Sequence, residues 1–233
     1  MKIHNFFNNL LQRDDISSLQ EKYHSATPLP HLIIDDFLPD DIFKELCNDI
    51  TNYPTDKWII KQLSNSAGIR KEARDFSDSQ TLHSVMMNLT AQNFVKWLGT
   101  ITNSPDIIPD PHYLGAGLTS TPSGSSLGLH VDFNWNNTLR LNRKFNLILY
   151  ANSTWEDSWN GELEFWNKEN TQCIYTIKPT PNRLIFWEYE QDLIHGFTKP
   201  LACPPEIERQ NLMTIYYTSN ATPTSQPHKS QFY

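Results

Sequence analysis

A chain of 233 residues, 38% hydrophobic and 19% charged, can bury one sizeable core, and such a composition argues against a disordered or fibrous protein. Its formal net charge of −7 argues against a broad electrostatic footprint for nucleic acid or anionic membrane. Cys47, Cys173 and Cys203 are an odd number at wide spacing, which fits neither a disulfide framework nor a zinc knuckle and points to a reducing compartment.

The opening residues lack the apolar stretch and small-residue cleavage site of a signal peptide. No segment reaches the ~18 apolar residues of a membrane span, so the expected compartment is the cytoplasm. The glycosylation sequons at Asn88, Asn136, Asn152 and Asn220 are accordingly read as chance matches. Residues 5–12 carry an apolar face (Phe6, Phe7, Leu10, Leu11) and predict a short helix. After Pro28 and Pro30, the run from His31 to Leu38 predicts a strand. Pro39, Asp40 and Asp41 then start a helix through about Asp49, with its early acids suited to a helix N-terminus. Residues 57–62 predict a further strand, and the mixed-charge region 63–77 a mobile loop. Residues 79–100 give the longest helical pattern, with Leu82, Val85, Met86, Leu89, Phe94, Trp97 and Leu98 on one stripe.

From about residue 112 the pattern changes. Strands are predicted near 112–118, 127–132, 143–150, 161–166, 173–178, 182–187, 193–198 and 209–217, with a Gly/Ser-rich loop from Thr119. Eight short strands in about a hundred residues suggest a sandwich or barrel, the jelly roll being one such solution. The expected class is α+β, mainly β. The whole of 1–233 reads as one domain: helical and strand support over 1–110, a jelly-roll core over 111–217, and a loose polar tail over 218–233.

The first chemical signal is Leu129-His130-Val131-Asp132-Phe133. Side chains alternate along a strand, so His130 and Asp132 share a face and can bind one metal. A His and an Asp two apart are common by chance, and a third ligand is needed. His195 is the main candidate, 63 residues after Asp132, and His112 the alternative. Two imidazoles and one carboxylate leave three positions open, the arrangement of non-haem Fe(II) oxygenases. Arg209, opening an apolar strand, offers a planar fork for a carboxylate.

At this point a resemblance becomes visible. Leu129-His-Val-Asp-Phe-Asn, Arg143-Lys-Phe-Asn-Leu-Ile-Leu-Tyr-Ala-Asn, Trp159-Asn-Gly-Glu-Leu-Glu-Phe-Trp, Ile177 to Trp187, His195 and Arg209 follow one another in order. Together they resemble the prolyl 4-hydroxylase-like branch of the 2-oxoglutarate/Fe(II) dioxygenase superfamily. The resemblance implies a double-stranded β-helix buttressed by N-terminal helices. It implies that His130, Asp132 and His195 ligate iron, that Arg209 pairs with 2-oxoglutarate, and that Tyr150 and Tyr113 are hydroxyl donors to that cosubstrate. Asn146, which shares a strand face with Tyr150, is a candidate for the substrate side, with Trp135 and Arg140. Fe(II), 2-oxoglutarate and O2 are the implied cofactors, with ascorbate as a candidate reductant. The implied reaction hydroxylates a C–H of a prolyl or peptidyl substrate or a small metabolite and releases succinate and CO2; neither nucleic acid nor membrane is an expected partner. Retention of Asp132 favours hydroxylation over halogenation. Two rivals remain: a non-catalytic, cupin-like metal-binding jelly roll, and a zinc hydrolase, neither of which explains Arg209.

Overall fold

The computed structural model describes residues 2–219 and 222–233, so the Asn220 sequon lies outside the described residues. Five helices come early: α1 (Lys2–Asn8), α2 (Ile16–Ser25), α3 (Asp40–Thr51), α4 (Gln80–Leu89) and α5 (Gln92–Thr102). Strands β1 (His31–Ile34), β2 (Ile59–Lys61), β3 (Arg70–Ala73) and β4 (Ile108–Pro109) lie among and after them. The second half adds β5 (Gly117–Pro122), β6 (Leu127–Val131), β7 (Trp135–Asn136), β8 (Leu141–Tyr150) and β9 (Leu163–Trp166). It ends with β10 (Cys173–Ile177), β11 (Leu184–Glu188), β12 (Ile194–Phe197), β13 (Glu208–Thr218) and β14 (Gln231–Phe232).

The strands form two antiparallel sheets. The major sheet runs β1-β11-β8-β13-β5-β3-β2, with β4 also on β13 and β7 on β8. The minor sheet runs β10-β9-β12-β6-β14. The period of two along β8 assigns the layers. Phe145, Leu147 and Leu149 face the helices and join Leu46, Leu82, Phe94 and Trp97 in the larger core. Ile148 and Tyr150 point the other way and pack with Leu163, Phe165, Ile185 and Trp187 between the sheets. Full burial of each such Leu or Phe contributes about 1.5–3 kcal/mol. The result is a jelly-roll double-stranded β-helix with the helices on its outer face.

Several expectations need correction. The segment 79–100 is two helices, broken at Thr90 and Ala91 without proline or glycine. There Asn88 donates to Ser84 O and Thr90 Oγ1 to Met87 O, side-chain bonds that compete with helix continuation. Helix α2 was not expected; Leu19 and Tyr23 are its only buried residues, a thin apolar signal. The first strand stops at Ile34 rather than Leu38, where Asp36 adopts a left-handed conformation (φ 49°). Residues 112–116 form a turn, not a strand: the Asp110 carboxylate accepts from the backbone N–H of His112 and Leu114, and Tyr113 is left-handed (φ 49°). Strand β5 therefore starts at Gly117 and takes in Thr119 to Pro122, shrinking the expected loop. Likewise, residues 70–73 of the expected mobile loop are a strand of the major sheet. Both strands looked like loops because their inward residues are polar.

The expected loose tail also packs. Asn142 donates to Thr222 O, Asn134 to Gln226 O, and the backbone N–H of Phe133 to Ser230 Oγ. Strand β14 then pairs with β6, placing Phe232 opposite His130. Asn136 and Asn152 are buried and donate to Tyr217 Oη and Glu208 O, so neither presents a glycan acceptor. None of the helices in the described residues is long and apolar enough to cross a membrane.

Candidate metal centre

The minor sheet supplies the centre. In the antiparallel pair β6–β12, His130 and His195 stand opposite one another, with ring centroids 4.5 Å apart. Asp132 follows β6 by one residue and keeps the face of His130. Its Oδ1 lies 3.7 Å from His130 Nε2 and its Oδ2 3.3 Å from His195 Nε2. One ligand atom from each of the three falls within 4.8 Å of the others. Close backbone approach makes this possible: a Cβ on Gly196 would meet Leu127 O at 2.7 Å and Gly128 O at 2.9 Å.

Hydrogen bonds aim the imidazoles. His130 Nδ1 lies 2.9 Å from Gly128 O and His195 Nδ1 3.2 Å from Leu193 O. A carbonyl can only accept, so these contacts place a proton on Nδ1 and turn the Nε2 of each ring towards the carboxylate. Burial, aided by the His195 ring, pushes the His130 pKa down to about 4, which keeps that imidazole neutral. Burial alone would raise the Asp132 carboxyl, but Arg143 leads the neighbours that hold it well below the usual carboxylate range. Arg143 reaches Asp132 Oδ2 at 2.8 Å and donates through Nε to Asn146 Oδ1 at 2.7 Å. Asn146 in turn donates to Asp132 Oδ2 at 3.1 Å. The carboxylate is thus held in one orientation. Two imidazole nitrogens and one ionised oxygen, with further positions open, fit Fe(II) by donor type and number.

Arg209 is 4% exposed and opens β13. It donates through Nε to Gly161 O, through one terminal nitrogen to Asn211 Oδ1 (3.1 Å) and through the other to Tyr150 Oη (3.1 Å). Phe197 and Tyr150 flank the guanidinium, their ring centroids 4.6 and 5.0 Å from Cζ. Each terminal nitrogen keeps an N–H for a carboxylate. Gly161 keeps room for this guanidinium: a Cβ there would come within 3.2 Å of Arg209 Cδ and 2.7 Å of Leu201.

A cavity of about 280 Å³ contains His130, Asp132, His195, Arg209 and Asn146. Four other candidates do not line it: Tyr150, which reaches it only through its hydrogen bond to Arg209, and Tyr113, Trp135 and Arg140. Tyr113 packs edge-on against Phe76, because the turn at Asp110 carries it towards the helices. Trp135 lines an adjoining hollow that shares Lys61, Gly115, Phe133 and Ser230 with the cavity. Arg140 is exposed in the turn before β8, left-handed at φ 57°. His112 lies in the turn after Asp110 and is outside the cluster.

Sequence reasoning assigned no role to Arg143 or Phe232. Phe232 stacks on the His130 ring at 4.9 Å and 21°. An arginine in the opening turn of a ten-residue buried strand was a readable signal for Arg143; nothing in the sequence announced Phe232.

Residues 116–218 match the family model described as the 2OG-Fe(II) oxygenase superfamily. No curated protein matches the chain in sequence. Among solved structures, a prolyl hydroxylase from Trichoplax adhaerens, in complex with a hypoxia inducible factor peptide fragment, is similar with a TM-score of 0.63 at 18% identity. That likeness covers 89% of this chain and 91% of the other. A prolyl-4-hydroxylase from Pseudomonas putida gives a TM-score of 0.58 at 14% identity, over 88% of this chain and 100% of that one. A 2OG-Fe(II) oxygenase family oxidoreductase from Burkholderia pseudomallei gives 0.61 at 8% identity, over 89% and 93%. At these identities the likeness establishes the fold.

Proposed function

From the membership of residues 116–218 in the 2OG-Fe(II) oxygenase superfamily, we propose that His130, Asp132 and His195 hold Fe(II) and that Arg209, with Tyr150, holds the far carboxylate of 2-oxoglutarate. The protein is an Fe(II)/2-oxoglutarate dioxygenase, and hydroxylation of an aliphatic C–H in a prolyl peptide or small metabolite is its best-supported reaction. One observation carries this reading: a three-residue metal cluster and a buried arginine with free N–H groups line the same cavity. The prolyl substrate class draws on the likeness to prolyl hydroxylases. The reading treats residues 1–233 as one domain, because the helices bury the outer face of the sheet that carries Arg209. It places the protein in the cytoplasm, where Cys47, Cys173 and Cys203 stay as free thiols.

The iron and its cosubstrate, when bound, supply the O2 activation that ends in succinate, CO2 and a hydroxylated product. The chain's own residues set up the site. The Nδ1 contacts keep both imidazoles ready to ligate through Nε2, and Arg143 and Asn146 hold the carboxylate towards them. Arg209 fixes the register of the cosubstrate through a buried, paired-donor contact. Ile148, Leu163, Trp187 and Phe232 provide apolar walls that limit water near the reacting centre.

The test is an anaerobic titration of metal-free protein with Fe(II) and then 2-oxoglutarate, monitoring the visible iron-to-cosubstrate band. The band is expected in the wild type and absent in Asp132→Ala. In Arg209→Met it should require about tenfold to hundredfold more 2-oxoglutarate while iron affinity holds. Iron binding without any band in the wild type would favour the non-catalytic jelly roll instead.

A further inference from the structure

The cavity carries a charge surplus that this reaction leaves unused. Four cations line it, Lys61, Arg70, Arg143 and Arg209, against two carboxylates, Glu72 and Asp132. Fe(II) brings two positive charges and 2-oxoglutarate two negative ones, so loading does not change the balance. Arg143 is committed to Asp132 and Arg209 to the cosubstrate. The unspent charge falls on β2 and β3.

There a single carboxylate serves three cations. Glu72, 3% exposed, lies 2.5 Å from Lys61 Nζ, 3.3 Å from an Arg70 terminal nitrogen and 3.7 Å from Arg74. Arg70 is the most buried of them, its side chain 17% exposed against 36% for Lys61 and 34% for Arg74. Its buried Nε has no hydrogen-bond partner among the described residues. Its Nη2 has, among the described residues, only Glu72 and the Met213 sulfur at 4.0 Å. A desolvated guanidinium with unmade hydrogen bonds is costly, and a bound anion removes that cost. A neutral prolyl segment offers carbonyl acceptors but no charge, so it would leave the surplus uncompensated.

We propose that the primary substrate carries a carboxylate and that Arg70, backed by Lys61, binds it and sets specificity. This rests on the function proposed above and narrows it to a small acid or an acidic peptide. The guanidinium fork and a carboxylate match as paired donors and acceptors. Arg70 lines the same cavity as the metal cluster, so binding there brings the rest of the substrate beside the metal.

The test is a calorimetric titration of protein loaded with Mn(II) and 2-oxoglutarate, using matched acid and amide probes. One pair is L-proline and L-prolinamide; another is acetyl-Asp-Pro-amide and acetyl-Asn-Pro-amide. In at least one pair the acid should bind about tenfold to hundredfold more tightly than its amide. Arg70→Met should erase that preference and leave 2-oxoglutarate affinity as it was. Arg70→Lys, which keeps the charge, should retain part of the preference and guard against a folding artefact. Equal binding within every pair, no binding by any acid, or an unchanged preference in Arg70→Met would overturn the proposal. So would a loss of 2-oxoglutarate affinity in Arg70→Met, which would make Arg70 a cosubstrate contact. If the wild type forms no band with iron and 2-oxoglutarate, the proposed function itself has failed, a result distinct from a band without acid preference.

Discussion

Asp132 lies between two imidazoles and a guanidinium, and each contact does something different. Arg143 removes the penalty of burying an ionised carboxylate, while His130 and His195 turn their Nε2 atoms towards it. The same burial makes His130 a sensor of acid. Its native pKa of about 4 lies below the ordinary value of about 6.5. Between those values the unfolded chain takes up a proton that the native chain refuses. Stability of the metal-free protein is therefore full above pH about 6.5 and lost on acidification, by up to about 3 kcal/mol from this residue near pH 4. The depressed Asp132 carboxyl contributes loss of the same sign at lower pH. Urea unfolding of the metal-free protein from pH 7 to 4.5 should show the decline, and His130→Asn should flatten it. An equal slope in the variant would assign the acid sensitivity elsewhere.

At the scale of elements, the C-terminal strand is the least expected part of the site. Strand β14 covers the free edge of β6, the strand that bears His130, and Phe232 caps that ring. Asn134 and Asn142, just after β6 and at the start of β8, tie the preceding segment down. Phe232→Ala should cost about 1 kcal/mol of stability, the worth of one aromatic contact. Removing residues 222–233 should go further and lower 2-oxoglutarate consumption, because β6 loses its edge partner and His130 its cover. A truncated chain with full turnover and an unchanged unfolding midpoint would show that the strand only decorates the surface.

For the whole molecule, the two sheets meet at the site. The candidate metal ligands come from the minor sheet, Arg209, Arg143 and Arg70 from the major one, so ligands that bridge them should stabilise the entire fold. At about a hundred times its Kd, a native-state ligand adds about 2.7 kcal/mol, or about 5–10 °C for a chain of this size. Mn(II) and then 2-oxoglutarate should each raise the melting temperature in a thermal scan. Arg209→Met should lose the second increment and keep the first; losing both would mean that Arg209 supports the fold rather than the cosubstrate.

The local alternation of the sequence was enough to determine most of the second-half strands, the amphipathic helix now seen as α3, and the shared face of His130 and Asp132. Those features depend on neighbours in the chain, and a period of two or 3.6 records them directly. The ordered landmarks also marked His195 and Arg209 before any contact was known. Tertiary structure alone decided the rest. Strands β3 and β5 read as loops because their inward side chains face a polar cavity rather than a core, so the hydrophobic signal was missing where function had replaced it. Tyr113 and Arg140 looked eligible by position, but two left-handed turns carried them away. Phe232 reaches His130 across about a hundred residues of chain. Such a contact is fixed by which sheet edge is left unpaired, and no local pattern encodes that.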